Sequence, residues 1–361
     1  MALISFARGA PAPECLDIEL TADCAREAVE RGGPAVLSYG PGGGYAPLRE
    51  WLAERHGVEP RRVIVTSGSL QGFVFLAQRI VGSGGRRVLV EAPTYDRPLK
   101  ILAALGAEVV ALPMDEEGLD PDALERELAA GPPPAFLYTI PTFQNPSGRT
   151  LSAERRRRII ELADRHDLLV LEDDPYGLVR YEGEAPPLLF ELEGGERVAY
   201  SSSFSKTVAP GVRVGYFVLP EGLAAAIEEV AVSTYISPPA LTQATVHELI
   251  RRGAFEPNLE RVCGLLRTRR DAMLAALARE FPAGASWSRP EGGYFLWVTF
   301  PEGVDAGELL VRALDAGVAF VQGTDFFPAG SGDGAGAARF AFSFESPERI
   351  AEGVARLAEL L

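Results

Sequence analysis

Lysine is nearly missing from this chain of 361 residues: of its 35 basic side chains only Lys100 and Lys206 are lysines. Cysteine is scarce as well. Cys15, Cys24 and Cys263 are scattered and make no CxxC pair, which excludes a disulfide framework or a zinc knuckle and points to a reducing cytoplasm. The histidines His56, His166 and His247 have no metal-ligand spacing, so no metal is expected. No apolar stretch reaches about 18 residues, and Met1 to Gly9 has neither a basic leader nor an apolar core; neither a membrane span nor export is expected. Positive charge is also short. The net charge is −15, and the longest basic run, Arg155 to Arg158, falls on a predicted helix as a solvated face, which argues against nucleic acid as a partner. There are no internal repeats, and the one low-complexity piece, Ala329 to Ala338, is expected to be a flexible surface loop.

What is present is a large core. With 47% hydrophobic residues, the chain is expected to form one large domain and a smaller one. From about residue 60, short aliphatic runs alternate with helical patterns, which predicts an α/β fold with a mostly parallel central sheet between helical layers. The predicted strands are 62–66, 87–91, 108–112, 135–139, 168–172, 198–201 and 214–218. A helical stretch from about Gly222 to Phe281, interrupted near Ser237-Pro238-Pro239 and at Pro257, leads to a small α+β domain with strands 293–298 and 339–343 and a closing helix 346–361. The expected boundaries are 1–38 for an N-terminal segment packing with the small domain, 39–255 for the large domain and 256–361 for the small one.

Lys206 stands in Ser203-Phe204-Ser205-Lys206, with Arg213 soon after. A lysine amine condenses with an aldehyde when a pocket lowers its pKa, and arginine cannot do this. Ser203, Ser205 and the Arg213 fork suit a phosphate, so a phosphate-bearing aldehyde is the implied ligand. No P-loop glycine spacing precedes Lys206, which speaks against nucleotide binding there.

Other polar groups follow predicted strand ends, where open α/β sheets bind ligands. Gly68, Ser69 and Leu70 open a helix and present backbone N–H groups to a phosphate. Tyr95, after a proline turn, could stack on a ring face. Asn145 lies in a stiff Asn-Pro turn with its amide free to donate to a phenolate. Carboxylates in Leu171-Glu172-Asp173-Asp174 close an apolar strand, where a protonated ring nitrogen would be a fitting partner, with Tyr176 close behind. Each segment alone also fits a plain helix start, a packed tyrosine or an ordinary turn; together they describe a pocket for a pyridine ring with a phosphate tail.

In this order and separation the segments resemble the fold-type I pyridoxal-phosphate enzymes, specifically class I/II aminotransferases of the 2-aminoadipate and broad-specificity branch, over nearly the whole chain. The resemblance implies that Lys206 forms the internal aldimine and shuttles the α-proton, with Asp173 and Tyr176 as further catalytic groups. It implies Asp173 on the ring nitrogen, Asn145 and Tyr176 on the phenolic oxygen, Tyr95 on the ring, and Gly68, Ser69, Leu70, Ser203, Ser205 and Arg213 around the phosphate. Tyr39 would reach the phosphate of a neighbouring subunit, so a homodimer with shared sites is expected. Arg339, Asn145, Gly9 and Gly40 would bind substrate, Arg339 gripping the α-carboxylate.

The implied reaction is ping-pong transfer of an amino group from an L-amino acid to a 2-oxo acid. β-Elimination or racemisation on the same scaffold, or a non-catalytic sensor domain, are the alternatives. Set against that family, no helix is expected before Ile4-Ser5-Phe6-Ala7, and Arg8 stands where the family often has glycine. Arg8 either adds a cation near the substrate entrance or decorates the surface. Tyr45, Tyr235, Phe326 and Phe327 are candidates to surround an apolar or aromatic donor.

Overall fold

The computed structural model describes residues 3–361, so Met1 and Ala2 lie outside the described residues. Eight strands form the central sheet in the spatial order Val63–Thr66, Gly215–Val218, Val198–Ser203, Val170–Asp173, Phe136–Thr139, Arg87–Ala92, Glu108–Asp115 and Gly118–Leu119. The four pairings from Val198–Ser203 outward to Glu108–Asp115 are parallel, the terminal hairpin with Gly118–Leu119 is antiparallel, and Gly215–Val218 runs antiparallel to both its neighbours. The inner strands are buried on both faces, as their continuous aliphatic runs demand. One apolar layer lies on each side of the sheet: Leu89, Leu137, Val170 and Val198 face one, Val88, Phe136, Leu171 and Ala199 the other.

A second sheet, antiparallel, orders Ser286–Trp287, Phe295–Thr299, Ala337–Ala341 and Val321–Gln322. Helices Phe255–Glu280 and Pro347–Ala358 cover it, enclosing a core that includes Met273, Leu296, Phe340 and Ile350. The N-terminal segment divides between the two lobes. Ile4–Ser5 pairs with Val318–Ala319 on the small-lobe side, whereas helix Ile18–Gly32 packs on Ala240–Arg251 of the large lobe.

The expected break at Pro257 is corrected by the structure. Helix Phe255–Glu280 runs through Pro257, which lies in its first turn, where a missing N–H breaks no helical bond. The helical stretch breaks instead at Gly253, between Ala240–Arg251 and Phe255–Glu280, with a φ of +66° that only glycine adopts readily. The break at Ser237-Pro238-Pro239 separates Glu221–Tyr235 from Ala240–Arg251 as expected.

Candidate active site

Five strands of the central sheet deliver their carboxyl ends to one cavity of about 200 Å³. Its lining includes Gly68, Ser69, Leu70, Tyr95, Asn145, Asp173, Tyr176, Ser203, Ser205, Lys206 and Arg213. Residues far apart in sequence meet because parallel strands all point their ends the same way.

At one end the groups suit a phosphate. Helix Ser69–Val81 has no side-chain cap, so its first backbone N–H groups stay open at the positive end of the dipole. Gly68 holds φ +89°, and a Cβ there would stand 2.2 Å from Arg213 Nη2, so glycine is required for the arginine to close over the turn. Arg213 Nη2 donates to the Ser67 carbonyl at 2.8 Å. Ser203 Oγ and Ser205 Oγ are hydrogen bonded at 2.9 Å on the strand end opposite.

At the other end three successive carboxylates have three different surroundings. Glu172 is fully buried, accepts the N–H groups of Leu189 and Phe190, faces Arg156 at 3.6 Å, and burial pushes its pKa up to about 7. Asp174 is committed as well, accepting from Gly177 N at 2.8 Å and Tyr200 Oη at 3.0 Å. Asp173 accepts from Tyr138 Oη at 2.9 Å through Oδ2, while its Oδ1 is buried with no partner. Burial raises the Asp173 pKa to about 6, with the Tyr138 hydrogen bond opposing the rise. A protonated pyridine nitrogen is the donor that this orphaned oxygen lacks.

Between the two ends lies Lys206. Its Nζ donates to the Gly9 carbonyl at 2.9 Å and stands 5.0 Å from the centre of the Tyr294 ring. Burial, with Arg339 and Arg213 adding like charge, lowers its pKa to about 8. That leaves an appreciable share of neutral amine near neutrality, as nucleophilic attack requires.

Arg339 is buried beside this cavity. Its Nη1 donates to Asn145 Oδ1 at 3.0 Å and its Nη2 to the Ala7 carbonyl at 2.9 Å, and Nε has no partner. With its oxygen engaged by Arg339, Asn145 has its NH2 left to donate. The guanidinium lies 4.2 Å from the Phe295 ring centre and 5.0 Å from that of Phe326.

Not every expected residue arrives. Tyr39 is 82% exposed and Gly40 bonds Ser237 Oγ at 3.2 Å; neither lines the cavity of its own chain. Arg8 is exposed, stacked over Phe344 at 4.1 Å, and stays outside the cavity. Of the aromatic candidates Phe326 adjoins Arg339, whereas Tyr45 packs on His247 and Tyr235 on Phe75.

Other contributors escaped sequence reading. Tyr138 is one, although its place at a strand end among apolar residues was a usable signal. Tyr294 is another: its Oη donates to the Lys206 carbonyl at 3.2 Å. Glu91 is a third, accepting from Ile140 N and Gln144 Nε2, both at 3.1 Å, and from Thr139 Oγ1, so it fastens the Asn145 turn to the neighbouring strand.

Pyridoxal phosphate fits these groups, with anion donors at one end, an unpaired buried carboxylate oxygen at the other and a lysine of lowered pKa between. Residues 8–357 match the model of the family described as aminotransferase class I and II. The 2-aminoadipate transaminase of Thermus thermophilus is 40% identical, the match covering 99% of this chain and 90% of that one. Aromatic-amino-acid aminotransferase 1 of Thermococcus litoralis is 36% identical over 99% of this chain and 88% of its own length. The solved structure of the Thermus thermophilus α-aminoadipate aminotransferase, complexed with N-(5'-phosphopyridoxyl)-L-leucine, superposes with a TM-score of 0.94 at 38% identity, covering 99% of this chain and 91% of that one. Readings as an eliminating enzyme, a racemase or a sensor are not favoured by these likenesses. Fold, pocket and relatives agree that the chain belongs to the class I and II aminotransferases and is a pyridoxal-phosphate-dependent enzyme of amino-group transfer.

Proposed function

We propose that Lys206 is the residue on which this transfer turns, with an L-amino acid as donor and a 2-oxo acid as acceptor in ping-pong order. The observation that carries the reading is the unpaired buried Oδ1 of Asp173 in the same cavity as the Lys206 amine. When bound, pyridoxal phosphate supplies an electron sink that makes the α-proton of the donor removable.

The chain's own groups do the rest. Asp173 would hold a proton on the ring nitrogen, and the open N–H groups of Ser69 and Leu70, with Ser203, Ser205 and Arg213, would hold the phosphate. Asn145 and Tyr176 would donate toward the phenolic oxygen, and Tyr95 would flank the ring. Lys206 Nζ, in its neutral form, would take the α-proton of the donor and hold it for return. Arg339, with Nε unpartnered, grips the α-carboxylate, which favours its retention over decarboxylation. Phe295 and Phe326, packed against the Arg339 guanidinium, favour apolar or aromatic donors, alongside the aminoadipate acted on by the Thermus relative.

The assembly we infer is a homodimer with shared sites. Leu37, Tyr39 and Ile236 are 64%, 82% and 57% exposed, and the Gly40 to Ser237 bond brings their two loops together. A patch of this kind fits a subunit contact that would carry Tyr39 to the partner's phosphate. A cytoplasmic setting fits the three free cysteines; no described helix is long and apolar enough to cross a membrane.

The test adds each common L-amino acid to cofactor-loaded protein without any oxo acid. Bleaching of the visible band with one equivalent of the matching 2-oxo acid supports the proposal, whereas release of ammonia or absence of any oxo acid contradicts it.

A further inference from the structure

A second cavity, of about 630 Å³, opens between the two lobes and shares no lining residue with the cavity of Lys206. One wall is the Gly148–Ser152 segment with Arg180, and the other is the Ser286–Glu291 segment with Trp297. Nothing in the transfer reaction uses it.

Three residues of its wall, Arg149, Arg180 and Trp287, carry donors that lack acceptors. Arg180 gives Nη1 to Glu291 Oε2 at 3.0 Å and to the Glu182 carbonyl at 3.2 Å, but its Nε and Nη2 are buried without a partner. The indole Nε1 of Trp287 is likewise buried and unpaired. Arg149, half-buried, has no hydrogen-bonded acceptor among the described residues, and burial lowers its pKa. The acidic lining residues Glu116, Glu184 and Glu291 are exposed, so negative charge sits outermost, while the orphaned N–H groups of Arg180 and Trp287 are set back in the wall. Buried donors in that state call for an acceptor, and one carried by a ligand would satisfy several at once.

We propose that this cavity binds a small oxyanion, a carboxylate or a phosphate, held by Arg149 and Arg180 from one lobe and Trp287 from the other. The site is one turn away from the chemistry. Gln144 N bonds the Arg149 carbonyl at 2.8 Å and Gly148 N bonds the Gln144 carbonyl at 2.6 Å, so the turn that carries Asn145 into the first cavity also carries Arg149 into the second.

The chain's three tryptophans allow a direct test, because Trp51 lines neither cavity. Cofactor-loaded protein with ¹⁵N-labelled indoles is titrated with inorganic phosphate and, separately, with succinate. The expected result is a saturable shift of the Trp287 indole N–H with at least one probe while Trp51 stays fixed, and binding about tenfold weaker in Arg149→Gln. A response to phosphate alone or to succinate alone supports the site and names the anion. Because succinate also suits Arg339, the titration is repeated in Arg339→Gln, where the Trp287 shift is expected to survive. The proposal is overturned by no saturable shift with either probe, by a shift that Arg149→Gln leaves unchanged, or by one that disappears in Arg339→Gln.

Discussion

Lys100 and Lys206 show how surroundings decide what an amine can do. Lys100 is exposed and paired with Asp96 at 2.7 Å, whereas Lys206 is held in the cavity with its pKa lowered to about 8. The neutral fraction of Lys206 grows as pH rises through about 8, so cofactor rebinding by the apoprotein is expected to accelerate up to that pH and then level, as stopped-flow absorbance would record. Asp173 behaves oppositely. Its folded pKa of about 6 exceeds the ordinary value near 3.9, so the folded apoprotein binds the proton more tightly and loses stability as pH rises from about 4 to 6. Asp173→Asn is therefore expected to raise the melting temperature of the apoprotein at pH above about 6 while abolishing turnover; an unchanged melting temperature there would contradict the burial argument. Tyr138→Phe removes the bond that opposes this rise and is expected to weaken cofactor binding by roughly tenfold, the worth of one hydrogen bond to a charged group.

Among the elements, the turns after the strands matter more than the strands themselves. Glu91 ties the strand Arg87–Ala92 to the Asn145 turn by accepting from three donors, so Glu91→Gln places an amide against N–H groups already pointing at it. A destabilisation of about 1–3 kcal/mol is expected in denaturant melts, together with a larger loss of kcat than that figure alone explains. Strands were legible because buried parallel strands are continuous aliphatic runs; Arg87–Ala92 and Val198–Ser203 lie within two residues of expectation. The helix start at Phe255 was not, because a proline in a first turn looks like a stop unless Gly253 is weighed beside it. The cavity lining was legible in the same measure. Asp173 ends its strand and Lys206 follows one, but the hydrogen bond that Tyr138 donates to Asp173 crosses between neighbouring strands and leaves no local pattern.

For the molecule as a whole, the inferred dimer makes a separable prediction. Sedimentation should give twice the chain mass of 38.7 kDa, and Tyr39→Phe should weaken cofactor binding without dissociating the dimer; a monomer of full activity would remove the shared-site proposal. The central claim concerns which amine bears the chemistry, and the scarcity of lysine makes that decidable. Borohydride reduction of the cofactor-loaded protein, followed by digestion and mass spectrometry, should find the pyridoxyl group on the peptide containing Lys206 and none on the peptide containing Lys100. A label on Lys100, or a fully active enzyme that takes no label, would contradict the account.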